Sequence, residues 1–94
     1  MATPAQIAND MAAHAQYWAK RDKNIERACR DAARVIRALI AGGQVDGRTY
    51  YGVQKRLLER ARGQGDYAVA IGGYPDFDRA RICMERLRAE AAQP

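Results

Sequence analysis

Basic residues recur at every third or fourth position between residues 20 and 37, which is the spacing of one face of an α-helix. We call them the basic ladder: Lys20, Lys23, Arg27, Arg30, Arg34 and Arg37. At about 100° per residue they fall within an arc of roughly 100°. The apolar residues of this stretch centre on the opposite side: Ile25, Cys29, Ala32, Val35, Ile36, Leu39 and Ile40. The pattern predicts a helix with one face in a core and the other open to anions.

The positive charge of the chain is concentrated in this segment. The chain has 16 basic and 11 acidic residues, for a formal net charge of +5, and residues 20–37 hold seven of the basic and three of the acidic residues. Most of the basic residues are arginine, whose planar guanidinium suits bidentate contacts with phosphate or carboxylate. A localised basic surface attracts polyanions. We therefore expect the partner to be nucleic acid or an acidic protein surface.

The N-terminal half can form one long helix or a helical hairpin. Thr3 and Pro4 predict a helix start. The apolar residues that follow stay on one side of a continuous helix as far as the ladder segment. Because no Gly or Pro interrupts residues 21–24, the pattern slightly favours one helix from Pro4 to about Ala41 over a hairpin that breaks at residues 22–24. An unbroken helix of about 57 Å would exceed the span of a compact monomer, and this favours a homodimer.

The rest of the chain predicts two more helices and one extended segment. The glycine pair at 42–43 ends the first helical region, and Asp46 is predicted to cap a helix that ends at Gly63. The buried stripe of that helix is Tyr50, Val53, Leu57 and Ala61. Pro75 opens the last helix, whose stripe is Phe77, Ala80, Met84, Leu87 and Ala91. Between them, residues 67–71 alternate large and small side chains and are predicted to be extended.

Together these elements predict a mainly α fold with a single domain over residues 1–94. We expect a small bundle of three or four helices, with a long N-terminal helix or helical hairpin and one short extended segment near residues 67–71. This segment either packs as an extended stretch, pairs with the same segment of a second subunit, or receives a strand from another protein. Pairing with a second subunit is another reason to expect a homodimer.

One segment resembles a known family. Residues 67–80, followed by Leu87-Arg88-Ala89, are similar to the strand and helix of the sporulation-related repeat domain, which binds peptidoglycan. The resemblance covers half of that fold's repeat, and the sequence has no second strand and helix of the same kind. No binding residues are therefore carried over to this chain.

The sequence offers little for catalysis. Its single histidine, His14, lies on an apolar helix face, and no acidic cluster could hold a metal, so we expect no enzyme activity, metal, cofactor or small-molecule substrate. Cys29 and Cys83 are widely separated and are predicted to be reduced core residues. No stretch approaches the roughly 18 apolar residues of a membrane span, so we expect a cytoplasmic protein that does not enter a membrane.

A second group of candidate contact residues follows the ladder. Arg48, Lys55 and Arg62 share one side of the predicted third helix and could extend the basic surface. Three tyrosines are candidates for contact with a partner, although packing within the chain would explain them equally well. They are Tyr50, Tyr51 and Tyr74.

These observations predict a small, non-enzymatic binding or regulatory protein of phage or mobile-element origin that docks its ladder onto an anionic partner. The favoured partner is nucleic acid, bound without strong sequence preference because no base-reading residue set is visible. The alternative is a protein-binding inhibitor or adaptor of the same origin, for example an inhibitor of a bacterial defence system such as CRISPR, that occludes a functional surface. A third possibility is a solvated face with local pairs such as Glu26–Arg30 and Arg27–Asp31.

Overall fold

The computed structural model describes residues 2–62 and 75–92. Within these ranges the chain forms four helices and no strand: α1 (Pro4–Trp18), α2 (Lys23–Ile40), α3 (Gly47–Arg62) and α4 (Phe77–Ala91). The predicted small, mainly α bundle is therefore confirmed. The predicted extended segment at residues 67–71 lies outside the described residues.

The N-terminal half is a helical hairpin, so the slightly favoured prediction of one continuous helix is wrong. α1 ends at Trp18, and α2 begins at Lys23 after a short turn. Asp22 causes the new start, because its Oδ1 accepts hydrogen bonds from the backbone N–H groups of Asn24, at 2.9 Å, and Ile25, at 3.2 Å. Its extended backbone, with φ −149° and ψ 109°, breaks helix continuity without Gly or Pro.

The other helix ends follow the sequence closely. Thr3 and Gln6 form a reciprocal capping box at the start of α1. Gly42, at φ +77°, follows the end of α2 in a conformation that glycine adopts at little cost. Asp46 accepts hydrogen bonds from both the backbone N–H and the hydroxyl of Thr49, and this caps α3. These hydrogen bonds lower the pKa of the Asp46 carboxyl.

α2 and α4 form the centre of the bundle, because each of them packs against all of the other described helices. α1 and α3 pack on α2 and α4 but not on each other. Five of the seven residues predicted for the apolar face of α2 are buried, whereas Leu39 is half-buried and Ile40 is 46% exposed. Ala28 and Ala33 are buried as well and were not predicted. Ile40 is the last residue of the helix, where the core no longer covers that face.

The stripes predicted for the last two helices are largely buried. In α3 all but Ala61 are fully buried, and in α4 Phe77, Ala80 and Met84 are at 0% exposure. Leu87 is half-buried, whereas Ala91 is exposed at the end of α4, which corrects the prediction for that residue. The predicted core cysteines, Cys29 and Cys83, are free and buried.

Candidate functional site

Five of the six ladder residues lie on α2, from Lys23 to Arg37, a distance of about 21 Å at the helical rise of 1.5 Å per residue. The sixth, Lys20, lies in the turn between α1 and α2, because the helix predicted to carry it is interrupted there. All six residues are exposed. The α2 face opposite them packs into the core, as the amphipathic pattern predicted. We call the five residues on α2 the basic face.

Each of the three acidic residues in this segment already has a partner, and only one of these partners is a ladder residue. Asp22 caps α2. Glu26 pairs with Arg30 one turn later in the same helix, as predicted. Asp31 does not pair with Arg27, the other predicted local pair, because its Oδ2 lies 2.6 Å from a guanidinium nitrogen of Arg56 on α3.

As a result, most cations of the basic face form no salt bridge with a described residue. Within residues 2–62 and 75–92, Lys23, Arg27 and Arg34 form no salt bridge. Arg37 donates to Oδ1 of Asn9 on α1 at 3.0 Å, and this neutral partner leaves its charge uncompensated. Only Arg30 is paired with a carboxylate.

A groove of about 560 Å³ runs between α1 and α2 beside the basic face. Its floor consists of the small side chains Ala12, Ala15, Ala19 and Ala33. One wall is formed by Arg30, Arg34 and Arg37, and Gln16 and Glu26 complete the lining. Because the floor is alanine, an extended anionic chain can approach the helix backbones while three guanidiniums reach it from one side.

The second basic set remains apart from this groove. Arg48, Lys55 and Arg62 are exposed on α3, and Lys55 lines a separate groove of about 610 Å³ between α3 and α4. Tyr51 is 65% exposed beside this groove, whereas Tyr50 is only 4% exposed and belongs to the core. Tyr74 lies outside the described residues.

Arg88 is a feature of this second groove that the sequence did not single out. Its guanidinium carbon lies 4.2 Å from the ring centre of Tyr50 and 5.0 Å from that of Tyr51, which are cation–π distances. No spacing rule links residues about 38 positions apart, so only the antiparallel packing of α3 and α4 reveals this cluster. By contrast, the pairs of Arg81 with Asp78 and Glu85 follow the three- and four-residue spacing of a helix, although they were not among the pairs predicted from the sequence.

Other chemistries find no support among the described residues. No group of three or more His, Cys, Asp or Glu side chains in this part of the chain could hold a metal ion. No helix in the described ranges is long and apolar enough to cross a membrane. Burial raises the pKa of the Cys29 thiol to about 12, so this cysteine is poorly suited to act as a nucleophile.

Comparison with known proteins assigns no family. The chain matches no protein-family model, no curated protein and no solved structure. The resemblance of residues 67–89 to the sporulation-related repeat domain therefore has no family match behind it, and the functional argument depends on the geometry and charge described above.

Proposed function

We propose that the basic face of α2 binds the sugar–phosphate backbone of nucleic acid without strong sequence preference. The observation that carries this proposal is a line of exposed cations over about 21 Å, of which only Arg30 forms a salt bridge with a described residue. A solvated face stabilised by local pairs would instead use Asp31 to compensate Arg27. Asp31 holds Arg56 and so joins α2 to α3.

The physical driving force is the release of counterions from the nucleic acid. Each phosphate neutralised by a Lys or Arg contributes about 0.9 to the slope of log K against log salt for duplex DNA. If all five residues of the basic face contact phosphates, affinity should fall about 500-fold between 50 and 200 mM salt. Arg34 and Arg37 can bind a phosphate from the groove wall, and Arg27 and Lys23 extend the contact toward the start of α2.

The make-up of the basic face favours backbone contacts with a duplex over stacking on the bases of a single strand. Sequence-tolerant binding of single strands usually needs aromatic rings on which bases stack, and no aromatic residue lines the groove between α1 and α2. The exposed tyrosines of the described ranges, Tyr17 and Tyr51, each have an arginine over one ring face: Arg21 at 4.0 Å and Arg88 at 5.0 Å. Backbone contacts are therefore the main interaction available to this face.

The decisive experiment compares two variants of equal charge. The test variant, Lys23→Gln, Arg27→Gln and Arg34→Gln, removes one lysine and two arginines from the basic face. The control variant, Lys55→Gln, Arg62→Gln and Arg86→Gln, removes the same residue types from exposed positions on α3 and α4. Affinity for labelled duplexes of arbitrary sequence is measured by fluorescence anisotropy between 50 and 200 mM salt, and circular dichroism checks helicity.

We expect the test variant to bind more weakly at 50 mM salt and to lose only about 10-fold up to 200 mM, because three phosphate contacts are gone. The control variant should keep the steep salt dependence of the natural sequence. Equal losses in both variants would mean that binding follows net charge, and no duplex binding at 50 mM would reject the proposal. That second result would direct attention to the alternative function, an inhibitor or adaptor that binds an acidic protein surface.

A further inference from the structure

A third groove, of about 470 Å³, lies between the N-terminal end of α1 and one side of α4. It shares no residue with the basic face. Pro4 and Ile7 contribute the α1 wall. The α4 wall consists of residues at helical steps of three and four: Arg79, Ile82, Cys83, Arg86, Leu87 and Glu90. Ile82, which is 39% exposed, is the only large aliphatic residue of α4 among the exposed hydrophobic residues in the described ranges.

The α4 wall is complementary to itself when a second copy is laid on it antiparallel. We place the two-fold axis at the height of the Met84–Glu85 peptide. In this register, Arg79 of each copy lies opposite Glu90 of the other copy along the helix axis. Ile82 lies level with Leu87 of the second copy in the same register. Opposite charges therefore meet at both ends. Between them, Ile82 of both copies lies along one flank of the interface and Leu87 of both copies along the other, because five residues turn a helix by about 140°.

Other registers lose this complementarity. Sliding the second copy by one helical turn in one direction sets Arg79 against Arg86, which places like charges together. Sliding it by one turn in the other direction moves the partner of Arg79 beyond Ala91, where α4 ends. A parallel arrangement sets Arg79 against Arg79 and Arg86 against Arg86. One antiparallel register thus pairs Arg79 with Glu90 at both ends, although it leaves the two Arg86 residues as like charges near the two-fold axis.

We propose that this groove is the interface of a homodimer in which the α4 helices of two copies pack antiparallel. Glu90 is exposed and forms no salt bridge within residues 2–62 and 75–92, so its carboxylate is available to the other copy. Arg79 already binds Asp10 at 3.0 Å, but its side chain is 45% exposed. A guanidinium has five N–H donors and can therefore hold a second carboxylate.

Arg86 provides an independent test because its position in this arrangement is unfavourable. The two Arg86 residues of the dimer lie on the same flank of the interface, close to the two-fold axis, so their guanidiniums repel each other. Arg86→Gln should therefore strengthen association. A partner with an acidic surface would respond in the opposite way, because it would lose an attractive contact.

The experiment measures the molar mass of the natural sequence and its variants by sedimentation equilibrium from 1 to 200 μM. We expect the natural sequence to move from the chain mass of 10.5 kDa toward twice that value. Glu90→Arg should weaken association at least tenfold, and the exchange Arg79→Glu with Glu90→Arg should restore it to within about threefold. Glu59→Arg, an equal charge change at an exposed residue of α3, is the matched control and should have little effect.

Arg79→Glu also removes the contact with Asp10, so circular dichroism melting is measured for every variant. If the exchange variant does not fold, Ile82→Glu decides, because this exposed residue should abolish association while leaving the melting temperature unchanged. A monomer at 200 μM would overturn the proposal, as would equal behaviour of Glu90→Arg and Glu59→Arg or a weakened dimer with Arg86→Gln.

Discussion

Replacing Asp22 tests how strongly its side chain stabilises the start of α2 after the break. The carboxylate accepts two backbone hydrogen bonds at the start of α2 and lies at the positive end of that helix. Loss of an N-cap costs about 1 kcal/mol, with a range of 0.5–2, and loss of a negative charge there about 0.3–1. For Asp22→Ala we therefore expect the free energy of unfolding to fall by about 1–2 kcal/mol.

The hairpin itself should survive this change. Ile7, Met11 and Trp18 of α1 are each at most 7% exposed in the core, and burying such side chains contributes about 1.5–3 kcal/mol each. Straightening the hairpin into one helix would remove α1 from this core, at a cost several times that of the cap. Asp22→Ala should therefore remain a hairpin of lower stability and should not become a long helix.

Urea denaturation followed by circular dichroism measures this prediction. Asp22→Asn provides the comparison, because an asparagine oxygen accepts the same hydrogen bonds and only the charge is lost. We expect it to cost about 0.5 kcal/mol, with an unchanged dependence on urea concentration for both variants. If Asp22→Ala costs no more than Asp22→Asn, the two cap hydrogen bonds do not stabilise the start of α2. A changed urea dependence would contradict the survival of the hairpin.

Three further predictions concern stability and thiol chemistry. Hydrogen bonds from Thr49 lower the pKa of the Asp46 carboxyl in the folded protein. The ionised carboxylate therefore stabilises the fold above its ordinary pKa, and this stabilisation is lost as the pH falls through the folded pKa. Acid unfolding of Asp46→Asn should lack this pH-dependent loss of stability. Leu57→Ala should cost about 2–5 kcal/mol in urea unfolding, because Leu57 is 0% exposed, whereas the half-buried Leu58→Ala should cost less. In Cys83→Ser protein, Cys29 should react with a disulfide reagent at pH 8 about a thousandfold more slowly than in the unfolded chain, and equal rates would contradict its burial.

The sequence predicted the helix faces well because burial in a small bundle depends on helical spacing. The apolar residues of α2 and the stripe of α3 are buried almost as expected, and Thr3, Gly42 and Asp46 act at the helix ends where their side chains or backbones suit a cap. Errors occur at the ends of stripes, at Ile40 and Ala91. The 3.6-residue period predicts which side of a helix faces the core, but it does not predict how far along that side the neighbouring helices extend.

The break after Trp18 was harder to predict because its cause is a single side chain. The spacing of the apolar residues alone could not reveal the break. Both helices of a hairpin turn their apolar faces toward the same core, so the apolar pattern can continue across the turn. Asp22 has neither the rigid ring of proline nor the left-handed backbone typical of glycine, the usual signals of a helix break. It acts through two hydrogen bonds that its side chain accepts from the backbone of α2. The same limit applies to the Asp31–Arg56 pair, whose partners are on different helices and 25 residues apart.

The two proposed surfaces lead to a joint consequence. α2 packs against α4 through its buried face, so the basic face points away from α4, where the second copy would bind. A dimer would then direct its two basic faces outward, and one short duplex could not contact both. Glu90→Arg should therefore leave the affinity for a short duplex nearly unchanged but abolish the bridging of two duplexes, measured by energy transfer between separately labelled DNA molecules. If Glu90→Arg instead weakened short-duplex binding as strongly as the basic-face variant, both basic faces would have to contact one duplex, and the outward arrangement would be wrong.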